Sequence, residues 1–202
     1  MTATRDGVEV LRAAAHRRMR WKNGGGETLE IAVSPADATL DTMDWRISMA
    51  VVAQHGPFSL FAGIDRTLCI LDGAGMELDF GSGDVRTVTI DSAPLSFAAD
   101  VALQARLLNG PITDLNVMTR RDTYRHRVHR LPLGAQPSEF TLKSPLLLLL
   151  CGNGGVRCDI DGAQWQLDAR DALLLREPGP TPLRLSAASA DAMIYQVFLE
   201  AK

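Results

Sequence analysis

Trp21–Thr28 gathers Lys22, Asn23, Gly24, Gly25, Glu27 and Thr28, together with an indole and a further glycine, into one short stretch. A cation, an amide, a carboxylate and a hydroxyl are the groups that hold a small polar ligand. Consecutive glycines cost backbone entropy on folding, and they are used where φ turns positive or where backbone N–H groups must approach something closely. Alternation of apolar residues resumes at once in Leu29, Ile31 and Val33. The stretch therefore reads as a loop feeding a strand, a common place for binding groups.

Other chemistries are disfavoured by spacing. The four histidines are His16, His55, His126 and His129, and no two stand at i and i+2. On a strand, residues three apart lie on opposite faces, and Arg125, Arg127 and Arg130 surround the closest pair. No metal site and no cofactor is expected from such a set. No G-x-S-x-G occurs, and Cys69, Cys151 and Cys158 lie in apolar strand patterns with no histidine in context, so they read as small core residues. Asn23-Gly24-Gly25-Gly26 lacks the Gly-Lys-Ser/Thr of a phosphate loop and precedes a strand, not a helix.

Polar residues also share faces with apolar ones on two strand-like segments. From Ile112 to Arg120 the alternation places Asp114, Asn116 and Arg120 with Ile112 and Met118, and Leu115 with Val117 on the other side. From Trp45 onward, Arg46 and Ser48 share a side with Ala50 and Val52. Composition alone favours a solvent face of an edge strand for such residues. Arg66 follows Asp65 and could form an ion pair with it in a turn. Trp21, Trp45, Phe58 and Phe61 are most simply core aromatics.

The elements that must position these groups are strands. Val85–Ile90, Leu103–Leu108 and Ile112–Val117 read as strands, and glycine turns recur at 72–73, 81–83, 109–111, 152–155 and 161–162. Many short strands broken in this way predict an all-β sandwich or barrel. Residues 8–20 have partial helical spacing, but Val8 and Val10 favour a strand running into a loop. Leu71-Asp72-Gly73-Ala74-Gly75 resembles Leu150-Cys151-Gly152-Asn153-Gly154, and each precedes an alternating segment, as two fused copies of one architecture would show. Pro132, Gly134 and Pro137 mark a junction near residues 120–137.

At 202 residues the chain can form one large all-β domain or two small ones. A net charge of −3 argues against a nucleic-acid reader, and 46% hydrophobic with 22% charged residues is ordinary for a soluble globular protein. Met1–Val10 has no apolar core of a signal peptide, and the Leu146–Cys151 run is too short to span a membrane, so a cytoplasmic location is expected.

Trp21-Lys22-Asn23-Gly24-Gly25-Gly26-Glu27-Thr28-Leu29-Glu30-Ile31 resembles the signature of the HutD/Ves family. Trp45–Ala50 with Gly56–Ser59, Phe61, Gly63 and Asp65-Arg66 is similar to a second family stretch, and Gly110-Pro111, Asp114–Met118 and Arg120-Arg121 to a third. The resemblance implies a metal-free, cupin-like jelly-roll bicupin of two fused β-barrels, residues 1–121 and 122–202. It also implies an association with bacterial histidine utilisation and no well-established catalytic activity. On that reading a barrel interior holds one small ligand. Lys22, Arg46, Arg66 and Arg120 would meet carboxylates, while Asn23, Glu27, Asp114 and Asn116 orient them, with Gly24, Gly25, Thr28 and Ser48 completing the site. The expected partner is a small acidic metabolite, like formylglutamate or urocanate, with no nucleic acid and no membrane; a homodimer stays open. A metal-free isomerase or hydrolase acting on a small carboxylate is the rival reading. The second barrel is expected to be mainly structural.

Overall fold

The computed structural model describes residues 6–21 and 24–202. β1 (Val8–Leu11) leads through a 3-10 turn at Ala13–Ala15 into β2 (Arg17–Arg20) and β3 (Gly26–Ser34). There follow β4 (Trp45–Val52), β5 (Gly56–Pro57), β6 (Ile64–Asp72), β7 (Met76–Asp79), β8 (Val85–Val88), β9 (Leu95–Ala98), β10 (Gln104–Leu107) and β11 (Ile112–Arg120). Then come β12 (Tyr124–Pro132), β13 (Ser138–Thr141), β14 (Leu146–Asn153), β15 (Val156–Ile160), β16 (Ala163–Leu167), β17 (Ala172–Arg176), β18 (Pro182–Ala187) and β19 (Met193–Ala201). The all-β expectation holds, and residues 8–20 are strands around one short turn, as Val8 and Val10 suggested. No described helix is long and apolar enough to cross a membrane.

The chain divides into two compact units: His16–Arg125 with Ala201–Lys202, and the residues up to Ala15 with His126–Glu200. The first unit has a six-stranded sheet in the order β2-β3-β4-β11-β6-β9 and a four-stranded sheet in the order β5-β10-β7-β8. Ala50, Val52, Leu68, Ile70 and Ile112 of the large sheet pack with Met76, Leu78, Val88, Ala105 and Leu107 of the small one. The second unit has a five-stranded sheet, β1-β17-β14-β19-β12, and a four-stranded sheet, β13-β18-β15-β16. Leu147, Leu149, Leu173, Leu175 and Ile194 meet Val156, Cys158, Trp165, Leu167, Leu183 and Leu185 there. Alternation explains both interiors, since every second side chain of each strand faces its partner sheet. The leucine runs of β14 and β17 are buried on successive residues, so both of their faces are covered.

Two features differ from the sequence expectation. The strand orders are linear and no sheet closes on itself, so each unit is an open pair of sheets, not a closed barrel. The N-terminal strand also joins the second unit: Val8–Leu11 pairs antiparallel with Leu175–Ala172. Val8 and Val10 pack on that unit's core, and Asp171 ties the next turn by accepting from Arg12 at 2.6 Å and from the Ala13 amide at 2.8 Å. Burial of the valines outweighs nearness in sequence.

The internal repeat reappears as topology. The order β4-β11-β6-β9 in one unit matches β12-β19-β14-β17 in the other, and β5-β10-β7-β8 matches β13-β18-β15-β16. Cys69, Cys151 and Cys158 are buried thiols, and none forms a disulfide.

Candidate functional site

Polar side chains collect on one interior patch of the six-stranded sheet. β11 is its central strand, flanked by β4 and β6. Met118 stands between Arg46 and Arg66, Asn116 between Ser48 and Leu68, and Asp114 between Ala50 and Ile70. Glu30 on β3 pairs with Ser48, and Phe97 on β9 pairs with Arg66. Along β11 the interior surface thus passes from cationic, through an amide, to a carboxylate. Beyond Asp114 lies the apolar core of Ile112, Val52 and Ile70. At the other end Met118, Met43, Ile64 and Ala99 close the interior.

Arg66 is the central cation. Its Nε donates to Asn116 Oδ1 at 2.8 Å, and a terminal nitrogen donates to the same oxygen. The guanidinium lies over the Phe58 ring, 4.5 Å from its centroid, and 5.8 Å from that of Phe97. Both rings attract it through their π faces. Burial pushes its pKa down to about 10, opposed by Asp114 and reinforced by Arg46, so it stays charged at neutral pH. The alternative turn pairing fails, because Asp65 takes the half-buried Arg121 at 2.8 Å.

Asn116 must present its oxygen to Arg66, which leaves its Nδ2 to donate to Asp114 Oδ1 at 2.6 Å. Asp114 is 1% exposed, and among the described residues its Oδ2 has no hydrogen-bond partner. Desolvation raises its pKa to about 6, against weaker lowering by Arg66, Asn116 and the Ala50 backbone. Arg46 is nearly as enclosed, and its Nε donates to Glu30 Oε2 at 2.7 Å. This is a buried arrangement of two cations and two carboxylates with unequal pairing. Arg46 has a carboxylate partner, whereas the hydrogen bonds of Arg66 go to a neutral amide.

The other expected residues divide. Ser48 lies on the patch, buried between Glu30 and Asn116 in register. Thr28 shares the Glu30 face of β3, where its Oγ1 accepts the Trp21 indole N–H at 2.8 Å. Glu27 is one residue off that alternation and instead meets Arg18 at 3.1 Å near the surface. Arg120 donates to the Asp41 carbonyl at 2.7 Å and the Met43 carbonyl at 3.1 Å, so it braces the segment before β4 and does not join the patch. Gly24 adopts φ 71°, and its amide bonds the Trp21 carbonyl at 3.1 Å. The Gly25 carbonyl accepts from Ala53 at 2.9 Å. These glycines serve a tight hairpin, and a Cβ on Gly26 would overlap the Val51 carbonyl oxygen. Lys22 and Asn23 lie outside the described residues.

Sequence reasoning missed Glu30, Phe58 and Phe97 as members of the patch. Glu30 was signalled by the same alternation that places Thr28, two residues earlier. The two phenylalanines gave no signal, since they reach Arg66 only through strand pairing and a loop.

Among the described residues, no group of three or more His, Cys, Asp or Glu could hold a metal ion. Among the described residues the second unit has no equivalent patch. Through the repeat, Leu149 matches Ile70 and Leu147 matches Leu68; their β19 partners are Gln196 and Phe198, where β11 has Asp114 and Asn116.

The HutD family model matches residues 13–194. The chain belongs to the HutD family. An uncharacterised 21.2 kDa protein from the hutC 3′ region of Pseudomonas putida is 36% identical to it over 121 residues, 60% of this chain and 63% of that protein, so the match spans under two thirds of that relative. Protein Ves of Citrobacter koseri is 37% identical over 160 residues, 79% of this chain and 74% of that protein. Among solved structures, a conserved protein of unknown function from Pseudomonas aeruginosa PAO1 has a TM-score of 0.86 at 32% identity, covering 96% of this chain and 98% of its own. HutD from Pseudomonas fluorescens SBW25, solved in a formate condition, has a TM-score of 0.82 at 27% identity, covering 96% and 99%. Cupin-type proteins share the fold alone: Escherichia coli YhhW has a TM-score of 0.65 at 9% identity, covering 95% of this chain and 97% of its own. The HutD-family chain thus carries its polar patch on a cupin-like, all-β framework.

Proposed function

We propose that this HutD-family protein binds a small acidic metabolite at the Arg66–Asn116–Asp114 patch and serves histidine utilisation as a regulatory, cytoplasmic sensor. The supporting observation is Arg66. A buried guanidinium normally has a carboxylate partner, because an unpaired buried charge is costly. Here its hydrogen bonds are made to an amide, between two aromatic rings, with Arg46 on the strand beyond β11. A ligand carboxylate would give Arg66 the direct, bidentate ion pair that Asp114, bonded to Asn116 instead, does not make. The family context favours a metabolite like formylglutamate or urocanate, held in a metal-free, bicupin framework. The P. fluorescens relative was solved in a formate condition, and formate is the simplest carboxylate probe.

A thermal-shift series with formate, urocanate and N-formylglutamate tests the reading, because a ligand that binds only the native state raises Tm by mass action. The carboxylates should raise Tm in proportion to the logarithm of their concentration, and the neutral amides of the same acids should not. Equal shifts from acid and amide would remove the anion from the account.

A second reading is favoured by Asp114. A carboxyl with a pKa of about 6 beside a substrate could act as a general base in a metal-free isomerase or hydrolase. Proton NMR of each bound acid over time separates the two. A sensor returns it unchanged, and an enzyme consumes it.

A further inference from the structure

Asp114 Oδ2 is the one feature of the patch that anion binding leaves unexplained. It is buried and meets no donor within hydrogen-bond geometry among the described residues, while Oδ1 is engaged by Asn116 and the Ala50 amide acts only weakly on the carboxyl. A buried carboxylate oxygen without a donor is costly and rare. The network also fixes its polarity. Arg66 can only donate, so Asn116 must turn its oxygen to Arg66 and its Nδ2 to Asp114. No rearrangement of Asn116 can serve Arg66 and supply a second donor to Oδ2.

We propose that the ligand of this site carries an N–H or O–H donor beside its carboxylate, and that Asp114 Oδ2 accepts it while Arg66 holds the carboxylate. The inference rests on the anion-binding reading and narrows its ligand class. A bare carboxylate would satisfy Arg66 and leave Oδ2 without a donor. The apolar neighbours Ile70, Ile112 and Ala50 favour a flat or aliphatic ligand body at that end. At pH 8 Asp114 is ionised and only accepts.

Asp114→Asn tests the polarity directly. Asn116 Nδ2 still requires an oxygen opposite it, so the substituted amide must place its oxygen there and its NH2 where Oδ2 was. The position then donates instead of accepting. Two near-isosteric probes, 3-(pyrrol-2-yl)acrylate and 3-(furan-2-yl)acrylate, share a carboxylate and differ in a ring N–H against a ring oxygen. Calorimetric titration at pH 8 should show the wild type binding the pyrrole at least tenfold more tightly. In Asp114→Asn that preference should fall below threefold or pass to the furan. Affinities within threefold of each other in the wild type, with both probes bound, would overturn the donor requirement and leave anion binding standing. A tenfold pyrrole preference kept by Asp114→Asn would overturn the role of Asp114. Failure of both probes to bind the wild type would overturn the anion reading and this inference with it. The wild-type comparison decides the donor requirement alone if the variant does not fold.

Discussion

Replacing Asp114 by Asn has a stability consequence whose size follows from its burial. The carboxyl titrates at 3.8 in the unfolded chain and near 6 when buried. A raised folded-state pKa means that the group's contribution is fully present below pH 3.8 and is lost as pH rises through 6. At about 1.36 kcal/mol per pKa unit, the whole loss is about 3 kcal/mol. Between pH 5 and pH 8 the linkage relation gives roughly half of it. Asparagine does not titrate, so the variant lacks this slope whatever fixed cost or gain it carries. Arg66, lowered only to about 10, stays charged across the window, and the other titrating groups are common to both proteins. Urea denaturation of both proteins at several pH values from 5 to 8 reads the difference in unfolding free energy. That difference should move toward the variant by about 1 kcal/mol as pH rises. A flat difference, or one that moves toward the wild type, refutes the desolvated carboxylate.

Glu30→Gln should lower stability by about 1.5–3 kcal/mol, because Arg46 loses a charged hydrogen-bond partner in a nearly closed site. Combined with Arg46→Gln the cost should be less than additive in the same denaturation assay. Gly26→Ala should cost about 1–3 kcal/mol in thermal unfolding, since the new methyl meets the Val51 carbonyl. Burial pushes the Cys151 and Cys158 thiols up to about 12. A thiol reagent at pH 8 should therefore leave both unmodified in the native protein and label both in urea, as read by mass spectrometry.

Strand residues were legible because period-two alternation is a local signal. The alternation of Ile112–Arg120 put Asp114 and Asn116 on one face, and both prove buried in the interior. The same rule placed Arg46 and Ser48 together, but it could not tell an interior from a solvent face. That choice depends on the partner sheet, whose strands are distant in sequence. Arg120 shows the limit of the rule. It has the right parity, yet at the strand end its guanidinium finds backbone carbonyls at Asp41 and Met43 before it finds the patch. Glu27 lies in the same dense polar stretch, but its parity opposes Thr28 and Glu30 and turns it away from the patch. The glycine repeat revealed a duplicated topology. It could not reveal that Val8–Leu11 crosses to the second unit, because that pairing spans most of the chain.

The central claim is that Arg66 binds the carboxylate of a small metabolite, and Arg66→Met tests it with little change in side-chain volume. Methionine can still pack on Phe58 and Phe97, so a urea melt should confirm a folded variant. Calorimetric titration of urocanate and N-formylglutamate into both proteins is the decisive measurement. At least one acid should bind the wild type, and the variant should bind it about tenfold to a hundredfold more weakly, as loss of a charge-assisted hydrogen bond of about 1.5–3 kcal/mol implies. An unchanged Kd in the folded variant would contradict the account.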